Sequence, residues 1–352
     1  MTLYTIGPVE MFPETLSVRS GQVPYFRNEA FSEVVLSCER MHQTLAGAPE
    51  GARTVFLTCS GTGAMEATVM NCLGEGDRAL VICGGSFGQR FSHLLDIHGI
   101  MHTDLVVADG KSLLEKDLRA YDGMGFTHLV VNLDETSTGQ LYDLSMLADF
   151  CGRNDALLVV DAISSYLADP IDMSAAGIDA LIVSSQKALG LAPGLSLVTL
   201  SPRMLEKVDA ARPRTMYFDF KDYLRNGTRG QTPFTPAVGV VYELRQRLGA
   251  LVEAGGSAAE VARVSAIAQD FRSRVTELPV LLPGYPLSNA LTPLVLPAGG
   301  ARRLLDELEG RYSFVLNPCG GAHADDMVRV AHVGNHTVEE NAQLVDALKA
   351  VL

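Results

Sequence analysis

The chain lacks a patterned set of cysteines, an excess of basic residues and any long apolar run, and each lack removes a class of function. Its six cysteines, Cys38, Cys59, Cys72, Cys83, Cys151 and Cys319, are scattered, with no C-x-x-C pair and no His/Cys cluster at zinc spacing. They read as free thiols in a reducing compartment rather than as disulfides or metal ligands. Lysine and arginine number 28 against 41 aspartates and glutamates, a net charge of −13. Nucleic acid needs a basic face, so that partner is set aside. A small anionic substrate is not, because a few local cations can reverse the field inside a cleft. Apolar runs such as 156–160 fall far short of the about 20 residues a membrane span requires. The opening MTLYTIGPVEMF shows no basic stretch followed by an apolar one, so no signal peptide is expected and the protein is expected in the cytoplasm.

What is present points to an enzyme-sized α/β protein. A chain of 352 residues, 47% hydrophobic and 20% charged, can build one large domain and a smaller one. Short apolar runs at 54–58, 79–83, 103–107, 128–133, 156–161, 179–184 and 195–200 alternate with longer amphipathic stretches. Several runs are apolar throughout, as strands buried on both faces are. Intervening stretches of helix length predict crossover helices, and hence a mainly parallel seven-stranded sheet wrapped by helices, with the carboxyl ends of the strands on one edge. The last hundred residues change character: a long helix at 257–278, short strands at 280–282, 291–296, 314–316 and 328–333, a helix at 302–308 and a closing one from 337. They form a small α+β layer, which the first dozen residues are expected to join. The division is a large domain over 15–255 and a small one from 1–14 and 256–352.

Three features carry chemistry. Ser60-Gly61-Thr62-Gly63 follows the 54–58 run and precedes the helix former Ala64-Met65-Glu66-Ala67. A glycine-rich turn at a helix N-terminus offers free N–H groups and a positive dipole end to a phosphate, although such turns are also purely structural. Asp161 ends the apolar run 156–161, and Lys187 ends the next one, 26 residues on. One strand–helix–strand unit separates them, so both should reach the same sheet edge. Singly, Asp161 reads as a helix cap and Lys187 as a solvated loop residue. As a pair they suit pyridoxal 5'-phosphate (PLP), which needs an acid beside its pyridine nitrogen and an amine to form a Schiff base and move a proton.

In order and spacing, Ser60-Gly-Thr-Gly63, Glu135-Thr-Ser-Thr-Gly139, Asp161-Ala-Ile-Ser-Ser165 and Ser185-Gln-Lys-Ala-Leu189 resemble the class V aminotransferases of PLP fold type I. The branch is that of the alanine/serine–glyoxylate and 2-aminoethylphosphonate–pyruvate transaminases, and the resemblance spans essentially the whole chain. It implies that Lys187 is the aldimine lysine and Asp161 the partner of the pyridinium. Gly61, Thr62 and Gly63 would form the phosphate cradle, with Gln186 near it and Thr136 placing a hydroxyl against the cofactor. Phe87, in Gly84-Gly-Ser-Phe-Gly-Gln-Arg90, falls where an aromatic ring stacks on the pyridine, and its flanking glycines are read as leaving that ring exposed. Thr235 would be lent to the phosphate of the other subunit, implying a homodimer with shared active sites. Arg329 would grip the carboxylate of an amino-acid or 2-oxo-acid substrate. Departures stand at Leu133, where the family often has His, and at Phe26-Arg27-Asn28, where it often has His-Arg-Ser. The activity implied is transamination between a small amino acid or aminophosphonate donor and a small 2-oxo acid such as glyoxylate or pyruvate.

Two other readings are weighed. A PLP-dependent lyase of the cysteine desulfurase kind would use Cys319 as a nucleophile, but such enzymes usually place His where Gln186 and Phe87 stand here. A nucleotide-binding or regulatory protein that kept the fold without catalysis would have little use for Lys187, Asp161 and the Gly-rich turn together.

Overall fold

The computed structural model describes residues 1–352. Thirteen strands occur in chain order: β1 (Thr2–Tyr4), β2 (Arg53–Leu57), β3 (Arg78–Cys83), β4 (Met101–Val106), β5 (His128–Asn132), β6 (Asp134–Glu135), β7 (Gln140–Leu141), β8 (Leu157–Asp161), β9 (Ile178–Ser184), β10 (Ser196–Leu200), β11 (Leu291–Val295), β12 (Phe314–Pro318) and β13 (Met327–Ala331). Seven of them form one sheet in the order β2-β10-β9-β8-β5-β3-β4. The pairs among β9, β8, β5, β3 and β4 are parallel, while β10 runs antiparallel to both β9 and β2. Every residue of β5 and β9 is buried, as unbroken apolar runs demand when helices cover both faces. The seven predicted runs are these seven strands.

One crossover differs from expectation. Between β8 and β9 there is no helix, only turns, such as Tyr166 N–H to the Ala162 carbonyl at 2.8 Å. Pro170 has no N–H to donate and biases Asp169 away from the helical region, so no run of turns propagates. The two strands remain parallel neighbours, and their tips still meet on one edge.

The second sheet has the order β1-β12-β13-β11, so the N-terminal strand does join the C-terminal layer. Helices Gly256–Val275, Ala301–Tyr312 and Glu340–Val351 supply its apolar cover through Phe271, Leu304, Leu308, Leu344 and Leu348. The strand expected at 280–282 is reduced to a single bridge from Leu281 to Val295. Pro279 and Pro283 bracket it, and neither can donate to a ladder.

Candidate active site

Three adjacent strands, β9, β8 and β5, end on the same edge, and their tips build a cavity of about 120 Å³. Lys187 enters from the turn after β9, Asp161 from the end of β8, and Thr136 from the segment beyond β5; Gly61, Thr62, Phe87 and Gln186 complete the wall. A mostly apolar groove of about 790 Å³ lies elsewhere, lined by residues of helices Leu144–Asn154 and Gly256–Val275, and holds none of the predicted site residues.

The Gly-rich turn opens the helix Gly61–Cys72, with Ser60 as its cap: the Ser60 hydroxyl accepts the Gly63 N–H at 3.4 Å. Gly61 permits a close approach, since a Cβ there would lie 2.5 Å from Ile163 Cδ1. The Thr62 hydroxyl accepts from Arg90 Nη1 at 2.9 Å, which brings an unforeseen guanidinium into the cavity wall. Gly63, half-buried, is not among the residues that line the cavity.

Asp161 is buried and accepts the Ile163 N–H at 2.8 Å. Burial pushes its carboxyl up to about 7, against the pull of that N–H, of Lys187 and of Arg90. Burial acts on Lys187 in the opposite sense and lowers its amine to about 8; Asp134 and then Asp161 resist the fall, while Arg329 and Arg90 assist it. Gln186 accepts from the Ser184 hydroxyl at 2.7 Å. The buried hydroxyls of Thr136 and Ser164 lie 2.8 Å apart.

Phe87 is half-buried on the first turn of the helix Ser86–Ile97, with the Arg90 guanidinium 4.6 Å from its ring centroid. The glycines around it serve contact rather than exposure, contrary to the expectation. A Cβ on Gly84 would fall 2.0 Å from the Tyr142 hydroxyl, on Gly85 2.3 Å from the Ser137 hydroxyl, and on Gly88 2.4 Å from the Ile82 carbonyl oxygen. Glu135, wholly buried, caps this helix by accepting the N–H groups of Phe87 at 3.3 Å and Gly88 at 3.0 Å.

Arg329 on β13 lines a neighbouring recess of about 610 Å³ that shares Phe87 with the cavity. It donates to the carbonyls of Thr136 at 2.7 Å and Pro318 at 2.6 Å, and its buried Nε has no partner. Thr235 stays exposed before the helix Val238–Glu253 and does not reach this chain's own cavity. Leu133 is buried as a plain apolar residue, and Asn28 caps the helix Glu29–Leu45. Burial raises the Cys319 thiol, the reverse of what a nucleophilic cysteine needs.

An amine and a carboxyl group walling one cavity, with a helix N-terminus opening onto it, fit the two ends and the phosphate of PLP. Lys187, Asp161 and the Gly61–Thr62 turn could hold it. The sheet order and this edge define the fold type I architecture of PLP enzymes.

The family described as "Aminotransferase class-V" matches residues 21–286, and the chain belongs to it. It is a PLP-dependent aminotransferase. Over 98% of its length it is 28% identical to the "Soluble hydrogenase, small subunit" of Synechococcus sp. (strain PCC 6716), covering 91% of that protein. It is 29% identical to the L-aspartate–glyoxylate aminotransferase of Paracoccus denitrificans over 84% of this chain and 78% of that one. Among solved structures, the subgroup IV aspartate aminotransferase of Thermus thermophilus superposes with a TM-score of 0.92 at 28% identity, with both chains covered in full.

Proposed function

We propose that this chain moves an amino group between a small amino acid or aminophosphonate donor and glyoxylate or pyruvate, with Lys187 as the group that binds the cofactor covalently and moves the proton. The observation that carries this is the meeting of Lys187 and Asp161 on one cavity wall from neighbouring strand tips. The cofactor, when bound, supplies an electron sink for the α-carbon of the substrate. Lys187, pressed by burial toward neutrality, is suited to take a proton from that carbon near neutral pH. Asp161 would face the ring nitrogen, with Thr136 and Phe87 against the ring. Gly61, Thr62, Gly63 and Gln186 would hold the phosphate.

Arg329 opens onto the recess where a substrate carboxylate would lie, and its guanidinium, held by the carbonyls of Thr136 and Pro318, puts a positive charge on that wall. A small 2-oxo acid accords with the glyoxylate in the names of relatives, among them the alanine–glyoxylate aminotransferase of Oryctolagus cuniculus. We also infer a homodimer, because Thr235 is exposed and would reach a partner's phosphate rather than its own chain's. A cytoplasmic setting is supported by the six free thiols. The two sheets are taken as centres of two domains, 15–255 and 1–14 with 256–352.

Replacing Lys187 by Ala tests the assignment. The purified protein should lose the visible band of the bound cofactor and its turnover with every amino donor tried, by at least about 1000-fold. A variant with band and turnover unchanged would remove Lys187 from the mechanism.

A further inference from the structure

The cavity is walled almost wholly by neutral groups. Of the side chains that line it, only Asp161, Lys187 and Arg90 are acids or bases. Asp161 is an acid, and the proposed function engages the Lys187 nitrogen at the aldehyde end of the cofactor. One full positive charge is left on the wall, Arg90, which that function does not use.

Arg90 stands on the helix Ser86–Ile97 three residues after Phe87, so the two side chains share a face. Its guanidinium lies 4.6 Å from the Phe87 ring centroid, and its Nη1 donates to the Thr62 hydroxyl at 2.9 Å. Half-buried, it has that neutral hydroxyl as its one hydrogen-bond partner and takes part in no ion pair. Other half-buried guanidinium groups of the chain are answered: Arg53 by Glu39 at 2.9 Å, Arg263 by Glu260 at 2.8 Å, and Arg272 by the carbonyls of Ser288 and Leu291. A guanidinium offers five donors and a permanent charge, and one neutral acceptor leaves most of that capacity turned toward the cavity.

Its position says which anion it suits. Arg90 lines the cavity of Lys187 and Asp161 but not the neighbouring recess of Arg329, so it does not face the place of a substrate carboxylate. Its partner Thr62 belongs to the first turn of the helix Gly61–Cys72, whose N-terminus opens on the cavity. A phosphate monoester carries about −1.5 to −2 charges near neutral pH, whereas a helix N-terminus offers only about +0.5. Gly61, Thr62 and Gln186 add dipoles but no charge. A dianion held by them alone in a small cavity would be poorly compensated, and a buried charge without an answering one is costly.

We propose that Arg90 is a binding residue for the phosphate of the cofactor: the cation of an otherwise neutral cradle, held in place by the Thr62 hydroxyl and the face of Phe87. The inference rests on the reading of the Gly-rich turn as the phosphate site. It makes the chain selective for a phosphorylated aldehyde, because unphosphorylated pyridoxal has no group for Arg90 to meet. A guanidinium that merely propped Phe87 would serve both aldehydes equally.

The test is an equilibrium titration of the full-length protein, freed of cofactor and in phosphate-free buffer, with PLP and separately with pyridoxal, followed by the visible band that each aldehyde forms. In Arg90→Gln the affinity for PLP should fall about tenfold or more, the loss of a hydrogen bond to a charged group, while that for pyridoxal changes less than about twofold. Arg90→Lys, which keeps the charge and loses the fork, should recover part of the PLP affinity. An unchanged PLP affinity in Arg90→Gln, or equal losses for both aldehydes, overturns the proposal. Should Arg90→Gln fail to fold, phenylglyoxal labelling of the unchanged protein, read by mass spectrometry at Arg90, decides instead. Loading with PLP should slow that labelling about fivefold or more beyond loading with pyridoxal, and equal labelling in the two loaded forms overturns the proposal. A Lys187→Ala protein that keeps the band with either aldehyde would refute the role of Lys187 itself. A band that needs Lys187, with a PLP affinity indifferent to Arg90→Gln, refutes only that of Arg90.

Discussion

Gly7 presses against the lysine that the chemistry needs. A Cβ there would lie 2.8 Å from Lys187 Cδ, 3.0 Å from Cε and 3.1 Å from Nζ. The clash would be with the flexible end of a side chain, so the fold can absorb it; the reacting amine cannot. Gly7→Ala is therefore expected to leave the melting temperature within a few degrees while turnover falls about tenfold or more, since a displacement of about 1 Å at a reacting group is that costly. Thermal melting beside steady-state kinetics checks it; equal losses in both would show that Gly7 is needed for folding rather than for placing Lys187.

At the scale of elements, the helix Ser86–Ile97 depends on how closely it can dock on β3. Gly88 stands where a Cβ would meet the Ile82 carbonyl oxygen at 2.4 Å and Cys83 Cα at 2.8 Å, both backbone atoms that cannot swing aside. Gly88→Ala should cost about 1–3 kcal/mol in chemical denaturation, the range of an overpacked contact, and weaken cofactor retention by moving Phe87. A stability change under about 0.5 kcal/mol would mean the helix can shift freely.

Much of this level was readable beforehand. Seven short apolar runs, several of them unbroken, became the seven strands, and Asp161 and Lys187 stood out because a charge at the end of such a run is conspicuous. The reversed direction of β10 was not readable, because a buried antiparallel strand looks like a buried parallel one. Nor was the meeting of Gly7 with Lys187, which are distant in sequence. The glycines around Phe87 were noticed for the wrong reason: they look like an open surface in sequence and prove to be contact points for Tyr142, Ser137 and Ile82.

At the scale of the whole molecule, the buried acids make stability depend on pH. Asp161 at about 7 and Asp134 at about 8 are held above the ordinary aspartate range, so the folded chain keeps protons that the unfolded chain has already released. Their contribution falls as pH rises toward those values. His42 and His128, lowered to about 4 by burial, act in the opposite sense, but only below about 6.5, above which both are neutral folded or unfolded. Between about pH 6.5 and 8 the histidines no longer oppose the acids, and Lys187, lowered to about 8, opposes them only toward the top of that window. The melting temperature of the protein freed of cofactor should drop across that window, and drop less in Asp134→Asn. Calorimetry at a series of pH values decides it, and a flat or rising profile would contradict the buried-acid account.

Gly7 lies three residues beyond β1, a strand woven into the C-terminal sheet, while Lys187 belongs to the edge of the large one. Any rocking of one sheet against the other is thereby transmitted to a single nitrogen atom. A fluorophore or spin label placed near residues 2–4 would act as a remote gauge of events at that atom, and rigidifying this short lever should trade speed for grip.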